Sequence, residues 1–135
     1  MSQNNNPKVW EINGISLPLD LEDAEVMERY EKAFDDMAAE EKTIRIDGRA
    51  SGRIRAYCML FRNLFDTLFG TGTAEQIFAG KPMSAAVHEE VYMDFLKFVT
   101  AQTAAANDRR AVLLDKYRPN RAQKRAAEKK IRKTK

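Results

Sequence analysis

Residues 51–70, SGRIRAYCMLFRNLFDTLFG, place Ile54, Tyr57, Cys58, Phe61, Leu64, Phe65 and Leu68 at spacings of three and four. That period belongs to an α-helix, and an apolar face this wide needs neighbours on more than one side. The stretch therefore reads as the central helix of a mainly helical domain, running from about Ser51 to Phe69. Gly70 is expected to end it as a left-handed cap. Thr73 with Gln76 then opens a short helix, Thr73 to Ala79, in capping-box style, and Gly80 closes it.

Working back from the central helix, Thr43 to Gly52 carries Asp47-Gly48 and Ser51-Gly52 and reads as a linker, in which Ile44 and Ile46 suggest a short extended piece. Before it, Asp20 and Asp23 form an acidic helix start, and Met27, Tyr30, Phe34 and Met37 follow as one buried stripe. Between Asp20 and Lys42 the net charge is −7. Earlier still, VWEINGISLPL contains Asn13-Gly14, a pair suited to the positive φ angles of a tight hairpin turn. Such a turn sets Ile12 against Ile15 and Trp10 against Leu17 on one side, with Glu11 and Ser16 on the other. A lone two-stranded ribbon is marginal in water, so its apolar side must lie on a helix.

Working forward, Ser84 starts a third long helix with Val87, Val91, Phe95, Phe98 and Val99 on one face. It either stops before a new helix capped by Asn107 and Asp108 or runs on through AQTAAAND. Pro119 disfavours a helical Arg118. The expected organisation is a loose N-terminus (1–8), one helical domain with its hairpin (9–118, hairpin 9–18), and a basic, mobile tail (119–135). At 135 residues a single core can form without metal or disulfide. The single cysteine, Cys58, reads as a small core side chain, which fits a reduced, intracellular setting. MSQNNNPK has no apolar signal region, and no apolar run approaches the ~20 residues of a membrane span. A non-membrane protein of the cytoplasm is expected.

The inventory for catalysis is thin. The one histidine, His88, follows Val87 and precedes Glu89 and Glu90, and reads as a surface residue. Asp66 reads as a capping or solvated acid. The glycines at 70, 72 and 80 lack the lysine and the preceding strand of a phosphate loop. No cofactor and no metal are expected, and the chain reads as non-catalytic. Charge is the stronger signal: from Lys116 onward the net is +9, whereas the first 115 residues sum to −6. The tail residues Arg118, Arg121, Lys124, Arg125, Lys129, Lys130, Arg132 and Lys133 are expected to engage acidic protein surface, including neighbouring copies. Nucleic acid is the alternative partner. Arg55 and Arg62, seven apart, share one helical side that could join the tail on RNA or DNA, though apart from Tyr117 the tail lacks aromatics to stack on bases.

Three pieces, WEINGISLPLDLEDAEVMERYEKA, FDTLFGTGTAEQIFAG and NRAQKRAAEKK, resemble small proteins of the tail-assembly region of long-tailed phages and prophages of Gram-positive bacteria. The chain looks like their tail assembly chaperones. That resemblance implies a small, helical, non-enzymatic protein of the host cytoplasm that keeps the tape-measure protein soluble until tail-tube subunits replace it, and that works as an oligomer. A structural tail-completion component is a further reading. Client binding needs exposed apolar surface, for which Phe61, Phe65, Leu68, Phe69 and Phe78 are the candidates, alongside Ile54 and the adaptable Met27, Met37, Met59, Met83 and Met93. Ordinary core is the competing fate for most of these, while Phe65, Phe69 and Phe78, near the glycine elbow, are expected to be exposed.

Overall fold

The N-terminal hairpin forms as its alternation dictates. In a computed structural model that describes residues 6–117, β1 (Val9–Ile12) pairs antiparallel with β2 (Ile15–Pro18), with Trp10 opposite Leu17 and Ile12 opposite Ile15. Asn13 and Gly14 both take positive φ, 47° and 78°, as the two-residue turn requires. Four helices follow: α1 (Ala24–Glu41), α2 (Ala50–Phe69), α3 (Thr73–Ile77) and α4 (Ala85–Tyr117). The fold is mainly helical with an N-terminal hairpin.

Asp23 caps α1 through its carboxylate, which accepts from the backbone N–H groups of Glu25 and Val26. Gly70 ends α2, but at φ 113° and ψ 150°, a region open essentially to glycine alone, rather than in the left-handed helical region expected. The left-handed residue is Gly72, immediately before α3. No capping box forms there. The Ala74 N–H instead donates to Asp66 Oδ1 at 2.8 Å, so the carboxylate that caps α3 comes from the last turns of α2. Residues 42–49 form turns and carry no strand at Ile44 or Ile46.

The chain divides after Gln102 into two units, within the length of α4. In the first, α2 is buried on two sides, as its wide apolar face demanded: Cys58, Leu60, Phe61, Leu64, Phe65 and Leu68 are all inaccessible or nearly so. Trp10, only 2% exposed, sits at the centre. Its ring centroid lies 5.3 Å from Phe65 and 5.1 Å from Phe95, with Phe69 and Phe98 slightly farther, and its indole N–H donates to Asp94 at 2.8 Å. The hairpin's apolar face thus rests on α2 and α4. The second unit, of which residues 103–117 are described, is the distal part of α4, and Val112, Leu113 and Leu114 are exposed there. No new helix starts at Asn107.

Three further expectations are corrected. Phe61, Phe65, Leu68 and Phe78 are buried core, and Phe69 is half-buried against Trp10. Hairpin, α3 and α4 converge on this part of α2, so a domain with one small core spends these aromatics on itself. What remains open near Gly70 is a hollow of about 340 Å³ edged by Leu17, Arg29 and Phe69. His88 is fully buried rather than on the surface. Residues 6–8 are not loose: Gln102 takes the Pro7 carbonyl, and Leu19 N–H takes that of Lys8. The expected boundary at 118/119 and all eight basic tail residues, Arg118 to Lys133, lie outside the described residues.

Candidate functional site

The chemistry-bearing side chains gather along the seam between α2 and α4. His88 Nδ1 lies 2.8 Å from the Ser84 carbonyl oxygen, which can only accept, so Nδ1 carries the proton. Nε2 then accepts from Arg62 Nε at 3.0 Å. The imidazole stacks on Phe78 with centroids 4.1 Å apart, and the Arg62 guanidinium lies over the same ring at 4.8 Å. Burial pulls the His88 pKa below its usual 6.5, and the Arg62 charge adds to that against the opposing pull of the Ser84 carbonyl. This is a neutral imidazole with both nitrogens engaged. Nearby, Tyr57 donates to Glu89 at 2.7 Å, and burial together with that acceptor pushes the phenol up to about 12. Burial raises the Cys58 thiol too, with Arg62 and Arg55 opposing. Neither the cysteine nor the histidine offers a reactive atom to solvent, and both read as fold-holding groups.

The signal for His88 was present in the spacing. His88, Val91, Phe95 and Gln102 fall within roughly 60° of helix circumference, and all four are buried. Polar identity and the neighbouring Glu89 and Glu90 had assigned the first of them, His88, to the surface. Gln102 is a clasp: its amide donates to the Pro7 and Leu19 carbonyls at 3.0 and 2.8 Å, and its oxygen accepts from Leu21 N–H at 2.7 Å. Asn13 does similar work at the hairpin tip, where Nδ2 lies within 3.3 Å of the carbonyls of Gln76, Ile77 and Ala79.

Accessible features lie elsewhere, on three surfaces. At the elbow between α1 and α2 a groove of about 330 Å³ is lined by Ile44, Arg45, Arg49, Arg53, Ala56 and Met59 among others. Beside it Ile46 is 85% exposed. On α1, Glu25, Glu28, Glu31 and Asp35 are exposed and recur every three or four residues, forming an acidic outer stripe. On distal α4, Val112, Leu113 and Leu114 follow one another, so they project from the helix at steps of about 100°, with the exposed Arg109, Arg110 and Lys116 on the adjoining turns. Of the sequence candidates, the structure brings Phe61, Phe65, Leu68 and Phe78 together in the core, with the half-buried Phe69 packed against it. It leaves Ile54, Met59, Met83 and Met93 exposed. Arg55 is exposed, whereas its expected companion Arg62 is drawn onto Phe78.

Among the described residues no group of three or more His, Cys, Asp or Glu is placed to hold a metal ion, and no helix is long and apolar enough to cross a membrane. No curated protein and no solved structure matches the chain. Residues 13–128 match a family described as a family of unknown function (DUF6673), a span that takes in the hairpin turn, all four helices and the elbow groove, and the chain belongs to that family.

Proposed function

We propose that this protein is a non-catalytic tail assembly chaperone of a long-tailed phage or prophage, which keeps the tape-measure protein soluble in the host cytoplasm until tail-tube subunits take its place. The resemblance of the three segments to such chaperones supplies the biological setting. The observation that carries a client-binding role is the apolar run on distal α4: Val112 is 65% exposed, Leu113 44% and Leu114 51%. Three large apolar side chains exposed in succession are accessible apolar surface of the kind that binding to another polypeptide uses. A long helical client meets it by laying its own apolar stripe alongside, as amphipathic helices do in helix-to-helix recognition. The aromatics first considered for this contact are core, so the client surface is reassigned to α4.

Co-expression with the tape-measure chain tests the reading. The wild type is expected to hold the client in the soluble fraction, and the Leu113→Asp, Leu114→Asp double variant to lose most of that effect while keeping its own helical circular dichroism. Equal client solubility with and without the wild type, or with both versions, overturns it. A very long coiled-coil reading frame directly downstream is the accompanying genomic expectation.

A further inference from the structure

We infer that the groove at the α1–α2 elbow docks a second copy of this chain, receiving the acidic outer stripe of that copy's α1. Charge and geometry carry this without the client role proposed above. Residues 42–55 hold five basic side chains and one acid, a net of +4. Among the described residues the only ion pair they make is Arg45 with Asp47, at a long 3.4 Å. Arg53 spends one guanidinium nitrogen on the Ile46 carbonyl at 2.6 Å. That bond fastens the turn and presents the Ile46 side chain outward on a held backbone. The elbow is thus a prepared surface, with Ile46, Ile44 and Met59 as its apolar part and Arg45, Arg49 and Arg53 around them.

The complement lies on the same chain. Glu25, Glu28, Glu31 and Asp35 make no ion pair among the described residues, and the one pair made by the α1 acids is Lys32 with Asp36 at 2.6 Å. Like charges one turn apart repel by a few tenths of a kcal/mol each, which a basic partner surface relieves. One step matches: Glu31 to Asp35 rises about 6 Å along α1, as four residues from the N-cap Arg49 to Arg53 do at the start of α2. Nucleic acid fits this groove less well. Its lining residues include Glu40 and no aromatic side chain, and the bulky Ile46 and Met59 offer nothing to a phosphate. Because every copy carries both surfaces, the contact either closes reciprocally as a two-fold dimer or propagates from copy to copy.

Sedimentation velocity on the full chain over a range of concentrations tests this, using an Arg49→Glu, Arg53→Glu variant, a Glu28→Arg, Glu31→Arg variant and their equimolar mixture. The wild type is expected to gain mass with concentration at low salt and less so at about 0.5 M, where screening is strong. Each variant alone should associate about tenfold more weakly or worse, and the mixture, in which acid and base have changed sides, should recover association. All these residues are exposed, and circular dichroism checks that each variant folds. A wild type that stays monomeric throughout, variants that associate unchanged, or a mixture that fails to recover overturns the inference. So does loss of binding to a labelled oligonucleotide in the arginine variant with association intact, which makes the groove a nucleic-acid site.

Discussion

His88 shows how one residue can link fold stability to pH. Its folded pKa lies below the value of the unfolded chain, so the unfolded state binds the proton more readily. The stabilising effect is therefore complete above about pH 6.5 and declines as pH falls toward the folded value. Thermal denaturation between pH 7.5 and 5 is expected to show stability dropping on the acid side, with this one group contributing at most about 1.4 kcal/mol per pH unit. A His88→Asn variant, which cannot titrate, should be less stable at pH 7.5 yet lose that part of the slope. An unchanged slope in the variant shows that the acid sensitivity lies elsewhere. Arg62 is the nearby charge that opposes protonation, and its own contact with Nε2 would become donor against donor once the ring charges.

At the level of elements, Gln102 does for the hairpin what backbone pairing does within it. The Gln102→Leu variant keeps volume but strands the buried Leu19 carbonyl and the part-buried N–H of Leu21, which are costly to leave unmet, and releases the Pro7 carbonyl. A loss of about 2–4 kcal/mol is expected by chemical denaturation, with hydrogen exchange accelerated first in residues 7–21. Protection unchanged in those amides disproves the clasp. Which elements form was largely legible beforehand, because Asn13-Gly14, Asp23, the α2 stripe and Gly70 each act through their nearest neighbours in sequence. The clasp was not legible. Periodicity puts Gln102 on the buried face but names no partner for it or for Asn13, and those partners lie 63 to 95 residues away. The candidate surface failed for a related reason. Periodicity says that Phe61, Phe65 and Leu68 face something apolar, but not whether that is this chain or another. The elbow groove went unread because a turn-rich linker has no pattern at all, and its value lies in Arg53 holding Ile46 outward.

For the molecule as a whole, the single tryptophan is also its central side chain, which makes it a reporter. Trp10 emission should be blue-shifted in the native state and move to the red together with loss of helical circular dichroism, in one transition for the first unit. Trp10→Ala is expected to cost about 3–5 kcal/mol, since it leaves a cavity among Phe65, Phe69, Phe95 and Phe98. Non-coincident transitions would show that the hairpin melts apart from the helices. The contacts that seat this ring also impose an order on events in the cell. Trp10 leaves the ribosome first, but Asp94, Phe95 and Gln102 are 84 to 92 residues behind it. At about 5–20 residues per second, the nascent strand pair waits several seconds for the surface that will cover it. Over that interval the growing chain itself, rather than any later client, is what most needs guarding against aggregation.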